Sequence, residues 1–412
     1  NQFKLRGSWG ELGNQNTSNL YPFYEILPVK SNSGNWLVNG GKTNTADIPS
    51  LVSTLLTWER VRSFNVGFDF GAFSNRLTGS FDYFVRKTVD MVGPAPQLPL
   101  VLGIAPAIVN NADMKSYGFE IELSWRDRIG EVDYGVKFNL ADAQQKVVKY
   151  PNTTNAFNDW YAGKMSGEIW GYTSLGIAKT DEEMKEHLAS LPNGGQNQLG
   201  NKWGAGDIMY ADINGDGKVD GGKGTLADPG DQRIIGNSTP RYNFGLVLDA
   251  SYKGFDVSIF FQGVGKRDYA PIVGTNGAVF WGAVNNIWQS MAMEEHFDYF
   301  RPEGHPMGAN LNGYYPRPDF TSNKNHQVQT RYLQDASYIR LKNLQIGYTL
   351  PKQWINKLHI NRCRVYVSGD NLWTGTSLAS MFDPETLAAG DWGSGKTYPL
   401  SKVISFGLNV NF

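Results

Sequence analysis

The closing run Lys402-Val403-Ile404-Ser405-Phe406-Gly407-Leu408-Asn409-Val410-Asn411-Phe412 sets Ile404, Phe406, Leu408, Val410 and Phe412 on one side of an extended chain, and Ser405, Gly407, Asn409 and Asn411 on the other. Successive side chains of a strand leave opposite faces, so this segment separates an apolar surface from a wet one.

Working back from the C-terminus, the same period recurs in pairs joined by tight turns. Phe64, Val66, Phe68 and Phe70 alternate with Asn65, Gly67, Asp69 and Gly71, and beyond Ser74-Asn75 follow Leu77, Phe81, Tyr83 and Val85. Tyr242, Phe244, Leu246 and Leu248 turn at Lys253-Gly254 into Phe255, Val257, Ile259 and Phe261. Tyr117 to Trp125 and Val132 to Leu140 form a third pair about a turn at 127–131. A fourth joins Leu344, Ile346, Tyr348 and Leu350 to a strand near Arg362–Trp373, but Ile339 and Leu341 have the opposite parity, which predicts a β-bulge near Lys342-Asn343.

With Phe3–Trp9 and the closing run, about ten segments are long enough to cross a bilayer when tilted. The short links, near 74–76, 127–131, 253–254 and 351–359, all fall on one side. The long ones, about 11–58, 90–113, 150–239, 266–333 and 374–400, all fall on the other. That asymmetry predicts an all-β fold, a transmembrane antiparallel β-barrel of the outer-membrane type with long extracellular loops and tight periplasmic turns. The alternative, a soluble sandwich, has no reason to place every large insertion at one end.

Composition agrees. Mean hydropathy is −0.39, and no apolar run approaches the roughly 20 residues of a membrane helix. Aromatic residues at 13% suit interfacial girdles, and a net charge of −1 gives no case for nucleic acid. The single cysteine, Cys363, has no disulfide partner within the chain and reads as a small apolar residue on a lipid-facing strand position. Ten strands carrying loops of up to roughly ninety residues, with a start inside a strand-like run, read as the C-terminal part (1–412) of one larger barrel domain.

Several strings in order carry a resemblance. They are Lys4 to Gly10 with Gly13-Asn14-Gln15, Arg76 to Tyr83 with Arg86-Lys87-Thr88, Tyr117 to Glu120, Asp212 to Asp220, Arg233 to Asn237, Ser251 to Asp256, Phe260 to Gly263, Tyr338 to Asn343 and Val365 to Leu372. Together they resemble the SusC/RagA family of TonB-dependent outer-membrane transporters of Bacteroidetes. The resemblance implies about the last ten of 22 strands, with the N-terminal extension, TonB box, plug and earlier strands outside this chain. It implies a SusD-like surface lipoprotein over the mouth, TonB as energy source, uptake of a glycan or peptide, and outer-membrane lipid around the wall. It also gives Phe412 the role of the terminal aromatic read during barrel assembly. A scaffold subunit of the same ancestry, with no transport of its own, is the second reading; an enzyme is not expected, since no Ser/His/Asp set converges.

The sharpest local motif is Asp212-Ile213-Asn214-Gly215-Asp216-Gly217-Lys218-Val219-Asp220, the first nine positions of a calcium loop. Asp212, Asn214, Asp216 and Asp220 would offer side-chain oxygens, Lys218 its carbonyl, and Gly217 the sharp turn. Position twelve is Lys223 instead of Glu. By resemblance the closing acid is Asp231, displaced by the glycine-rich stretch 221–230. A structural Ca²⁺ is expected, against a metal-free Asp/Asn/Gly turn.

Thr180 is a suitable N-cap for a short helix over Asp181–Leu188. Glu294, Glu295, His296 and His305 read as polar loop residues. Ligand contacts are expected from the loop aromatics Trp160, Tyr161, Trp170, Trp203, Trp281, Trp288 and Trp392, about half of them being loop-core or lipoprotein contacts instead. Trp354, on the short-turn side, reads as an interface anchor.

Overall fold

The computed structural model describes residues 2–15, 24–49, 51–53, 56–93, 99, 101, 103–104, 106–271, 280–281, 293–319, 324–356, 359–387 and 397–412. Ten long strands form one antiparallel sheet in which each pairs with the next in sequence. They are β1 (Gln2–Asn14), β2 (Glu59–Ala72), β3 (Leu77–Gly93), β4 (Val109–Ile129), β5 (Val132–Lys149), β6 (Arg241–Tyr252), β7 (Phe255–Lys266), β8 (Tyr338–Thr349), β9 (Arg362–Thr376) and β10 (Val403–Asn411). The sheet is open, with β1 and β10 at its edges.

Register turns alternation along each strand into rows across the sheet. One row runs Phe3, Phe70, Gly79, Leu123, Phe138, Leu246, Phe261, Leu341, Trp373. The next runs Lys4, Asp69, Ser80, Glu122, Asn139, Gly245, Gln262, Arg340, Thr374. Each row has a single glycine, Gly79 in the first and Gly245 in the second; otherwise the first is greasy and the second polar, so the two faces meet different solvents. Gly79 makes room within the greasy row, since a Cβ there would lie 2.6 Å from the Phe70 ring. On the polar face charges pair across strands: the Arg6 guanidinium on β1 donates to Asp69 on β2 at 2.9 and 3.0 Å and to Asp82 on β3 at 2.6 and 2.9 Å.

The bulge lies where the parity change places it. Lys342 is the extra residue between Leu341, opposite Phe261, and Asn343, opposite Phe260. The offset widens on β9, where Leu341 faces Trp373 and Asn343 faces Asp370, with Asn371 at a φ of 53°. Ile339 and Leu341 thereby share the apolar face with Leu344 and Ile346.

One tight link is tighter than its sequence suggests, and the Lys253-Gly254 turn falls where expected. The β4–β5 ladder continues to Ile129 opposite Val132, leaving Gly130-Glu131 as the turn, with Gly130 at a φ of 62°. Lys253 and Gly254 both adopt positive φ, the pairing that matches the twist of a two-residue hairpin. At the other rim β3, β4 and β5 run to 17, 21 and 18 residues, well beyond the roughly 9–11 needed to span a bilayer. β3 and β4 thereby shorten the expected 90–113 loop, continuing the wall past the length a bilayer requires.

No second sheet covers the apolar face among the described residues; the remaining ladders are two-stranded and belong to the loops. The packed core lies in those loops, where Tyr210, Phe280 and Tyr332 are fully buried. The closing strand is the opposite case, with Phe406 84% exposed. Replacing Phe68 or Leu246 with Arg, placed near the bilayer midplane, should cost about 2–4 kcal/mol in reversible unfolding from lipid, whereas Asn65→Ala and Asn243→Ala should change little. Equal costs at the two pairs would mean the faces are assigned wrongly.

Candidate functional site in the outer loops

Three of the long loops, those between β5 and β6, β7 and β8, and β9 and β10, share one packed core built by segments far apart in sequence. Its polar hub is Asp207, whose carboxylate is fully buried. Asp207 Oδ2 accepts from Lys324 Nζ at 2.8 Å, Arg317 Nη2 at 2.8 Å and the Gly204 N–H at 2.9 Å, while Oδ1 accepts from Asn325 Nδ2 at 2.9 Å. Lys324 is 1% exposed; its ammonium also donates to the Lys202 carbonyl and lies 5.1 Å from the Trp203 ring centre. Around the hub Tyr210, Gln196, Gln329 and Asn325 exchange hydrogen bonds, and Phe280, Trp281, Tyr314, Tyr315 and Tyr332 pack edge to face. Burial pushes the Tyr210 and Tyr332 hydroxyls far above the ordinary phenol range. It pushes His326, stacked on Trp281 at 4.3 Å, down to about 4, so this imidazole is neutral at physiological pH.

A second anchor ties the last long loop to the polar wall. Arg340 on β8, 3% exposed, donates to Asp383 at 2.7 Å, Glu385 at 2.8 Å and the Thr374 hydroxyl at 2.9 Å. Lys342 adds a 2.6 Å bond to Glu385.

The expected ligand aromatics separate into classes. Trp160 is exposed at 39%; Tyr161 donates its hydroxyl to Glu168 at 2.6 Å, and burial beside that carboxylate pushes it up to about 12. Trp170 stacks on Phe157 at 4.6 Å. Trp203 is half-buried and bonded through Nε1 to the Gly200 carbonyl, a loop-core role. Trp281, at 3% exposure, is inside the aromatic core and cannot touch a ligand as placed. Trp288 and Trp392 lie outside the described residues. Among the histidines, His296 accepts the Met293 N–H on Nδ1 and shares a hydrogen bond with the Phe280 carbonyl on Nε2, and His305 accepts the Met307 N–H. Both brace the backbone.

The helix spans Asp181–Ala189, and Thr180 accepts the Glu183 N–H at 3.1 Å as its cap. Met184 on its inner face is buried.

In the calcium-like loop Gly215 and Gly217 have φ of 75° and 79°, the left-handed turns this motif needs. The side chains are turned onto their own backbone. Asp212 accepts the N–H groups of Gly215 and Gly217 at 2.7 and 2.9 Å, and Asn214 Oδ1 accepts that of Asp216 at 3.0 Å. Asp231, expected as the closing acid, is fully buried and accepts the Ile213 N–H at 2.7 Å and the Asp220 N–H at 2.8 Å. Burial raises the Asp231 carboxyl, whereas the Lys218 ammonium, bonded to Asp220, holds that carboxyl low. Among the described residues no three His, Cys, Asp or Glu side chains converge as a metal cage.

The fold and these loops define a class: a sheet with one greasy and one charged face, tight turns on one rim and a folded loop canopy on the other, the wall of an outer-membrane barrel. The family model described as TonB dependent receptor-like, beta-barrel matches residues 1–372, and the chain belongs to that family. Its curated relatives include TonB-dependent receptor P3 of Formosa agariphila, 28% identical over all of this chain and 39% of that protein. TonB-dependent receptor SusC of Bacteroides thetaiotaomicron is 21% identical over 99% of this chain and 37% of that protein. Among solved structures, the RagAB peptide importer in its open-open state has a TM-score of 0.73 at 24% identity, covering 100% of this chain and 40% of that one. The RagAB peptide transporter gives 0.71 at 22%. The chain thus spans about two-fifths of the length of the proteins it matches.

Asp207 is the group on which the canopy turns. Asp207→Ala strips the carboxylate from buried Lys324, a loss of about 3–5 kcal/mol for such pairs. The expected readout is rapid proteolysis within 150–239 and 293–334 with the heat-resistant barrel band retained on gels. A canopy as protease-resistant as wild type would show that the hub is dispensable.

Proposed function

We propose that this chain supplies ten wall strands and the outer loops of a TonB-dependent importer, working with a SusD-like lipoprotein at the mouth to take up a glycan or peptide. The observation that carries the reading is the pair of rows across the sheet: a greasy row suits acyl chains, and a charged row suits a wet lumen. Family membership supports it, as do the relatives' names. The folded canopy supports capture at the outer rim, because buried hubs at Asp207 and Arg340 give the loops a fixed shape to present to cargo or partner. Energy from TonB belongs to the reading through the family alone.

The test is uptake by cells carrying the full-length receptor, with and without TonB, together with tagged purification in mild detergent. Loss of uptake without TonB, and a surface lipoprotein copurifying in near-equal amount, are expected. Uptake indifferent to TonB, with the barrel still in a stable complex, would favour the scaffold reading.

The same reading gives Asp212–Asp220 a structural Ca²⁺ that stiffens the canopy. The turn conformations at Gly215 and Gly217 support it, while the Lys218–Asp220 bond competes with it. Asp212, Asn214, Asp216, Asp220 and the Lys218 carbonyl would hold the ion, with Asp231 fixing the loop behind them; bound, it would cross-link the carboxylates by charge. Lys218→Ala keeps the carbonyl and removes the competing ammonium. Calcium should then raise the melting temperature of the variant more than that of wild type; no calcium effect on either protein would leave the loop a metal-free turn.

A further inference from the structure

We infer that a row of lysines on the lipid face of β3, β4 and β5, directly above an aromatic band, binds the phosphate groups of an anionic lipid of the outer leaflet. Transport plays no part in it; the premises are that the apolar face is turned to lipid and that the long-link rim is the outer one. In register across five strands stand Glu11, Arg62, Lys87, Lys115 and Lys146. Each lies an even number of residues from the greasy row on its own strand, with no register shift between, so all five side chains leave the face that carries Phe3, Phe70 and Leu123.

The residues beneath fix the depth of this row. Two positions lower on each strand come Trp9, Phe64, Val85, Tyr117 and Gln144, again in register. Trp9 is 71% and Phe64 47% exposed, rings of the kind that mark the boundary between acyl chains and headgroups. Counted from the tight-turn ends Leu77 and Ile129, Lys87 and Lys115 also lie at or past the roughly 9–11 residues that a tilted strand needs to cross. The row therefore stands at headgroup level.

What singles the row out is three unmatched cations side by side. Several other cations of the sheet are matched within the protein: Arg6 by Asp69 and Asp82, Arg241 by Asp142, Arg364 by Asp256. At one end of the row itself Arg62 donates to Glu11 at 2.6 Å, and Arg60 beyond it is taken by Asp90. Asp113, on the same strand as Lys115, accepts the Asp90 N–H at 2.9 Å. Among the described residues no carboxylate lies within ion-pair distance of Lys87, Lys115 or Lys146. Lys115 Nζ rests 5.2 Å from the Tyr117 ring centre, and Lys87 and Lys146 are exposed. Like charges directly opposite one another on neighbouring strands repel. At a strand spacing of about 4.8 Å, a phosphate set between two of these ammoniums reaches both, and repulsion gives way to charge-assisted hydrogen bonds. Acyl chains lying on the ring band would tether that phosphate, an anchorage that a soluble anion lacks.

The test is native mass spectrometry of detergent-purified, delipidated full-length receptor with diphosphoryl lipid A, with the same lipid stripped of its phosphates, and with phosphatidylcholine. The diphosphoryl lipid should be retained over the other two. Lys87→Gln, Lys115→Gln and Lys146→Gln together should weaken its binding roughly ten- to hundred-fold, the summed effect of three cations at a membrane surface. The same three positions changed to Arg should keep it. Lys42→Gln, Lys179→Gln and Lys185→Gln, an equal loss of charge in the loops, should leave it unchanged. Lys115→Gln alone, with a loss of about five-fold, keeps the test valid if the triple variant fails to insert. Equal retention of the dephosphorylated lipid, an equal loss in the loop variant, or binding indifferent to the row would each overturn the site. Displacement of the lipid by excess inorganic phosphate would assign the row to a soluble anion and overturn it as well. TonB-dependent uptake would stand under any of these outcomes.

Discussion

Every backbone N–H and C=O that crosses a hydrocarbon layer must find its partner within the protein, because the lipid offers none. That constraint governs the whole chain. It demands long, unbroken antiparallel ladders, and the ladders fix register, which aligns Phe70, Leu123, Phe138 and Leu246 into one greasy row and Asp69, Glu122 and Asn139 into the wet row beside it. Where the sequence inserts a residue at Lys342, the ladder absorbs it as a bulge and recovers its phase instead of exposing a polar group to lipid. The outermost strands carry the same demand unmet on one side, and their exposed Phe3, Leu5, Phe406 and Leu408 show that apolar surface continues to the sheet's edges.

A sheet solvated by lipid on one face and water on the other has no interior of its own. The core has moved to the canopy, which is organised as a soluble domain is: aromatic packing around a buried polar hub in which Asp207 is paired with Lys324 and Asn325. Arg340 shows how the two regimes are joined. It stands in the wet row of the sheet, yet its guanidinium is taken up by Asp383 and Glu385 of the last loop. A charge that elsewhere on the wall would face lumen water here fastens the canopy to the barrel.

The difference between regimes also decides what was legible in the sequence. Strands announce themselves locally, through a period of two that a lipid boundary imposes, so the segments, the side of each long loop and the bulge could all be read off residues. Helix capping at Thr180 is equally local. The extent of β3 to β5 was not readable, because above the membrane both faces are wet and the alternation stops while the ladder continues. The hub was invisible for a different reason: Asp207 meets Lys324 and Asn325 across separations of 117 and 118 residues, and nothing in the neighbourhood of any of them marks it for burial. Aromatic content alone pointed at Trp160, Trp170 and Trp281 alike. Only packing distinguishes an exposed ring, a ring stacked on a neighbour and a ring in the core.

The loop of Asp212 to Asp220 shows why a motif underdetermines its chemistry. Its glycines take the turns that a calcium loop needs, and Asp231 closes it after a ten-residue excursion, so backbone shape follows the motif. Side-chain oxygens are a separate matter, since each can accept from the loop's own N–H groups, and Lys218 brings a cation of its own to Asp220. The internal ammonium thus already answers the electrostatic problem that the proposed divalent ion would answer on the same backbone. Asp231 stands apart from that competition, because its carboxylate is spent on holding the Ile213, Asn214 and Asp220 N–H groups in place.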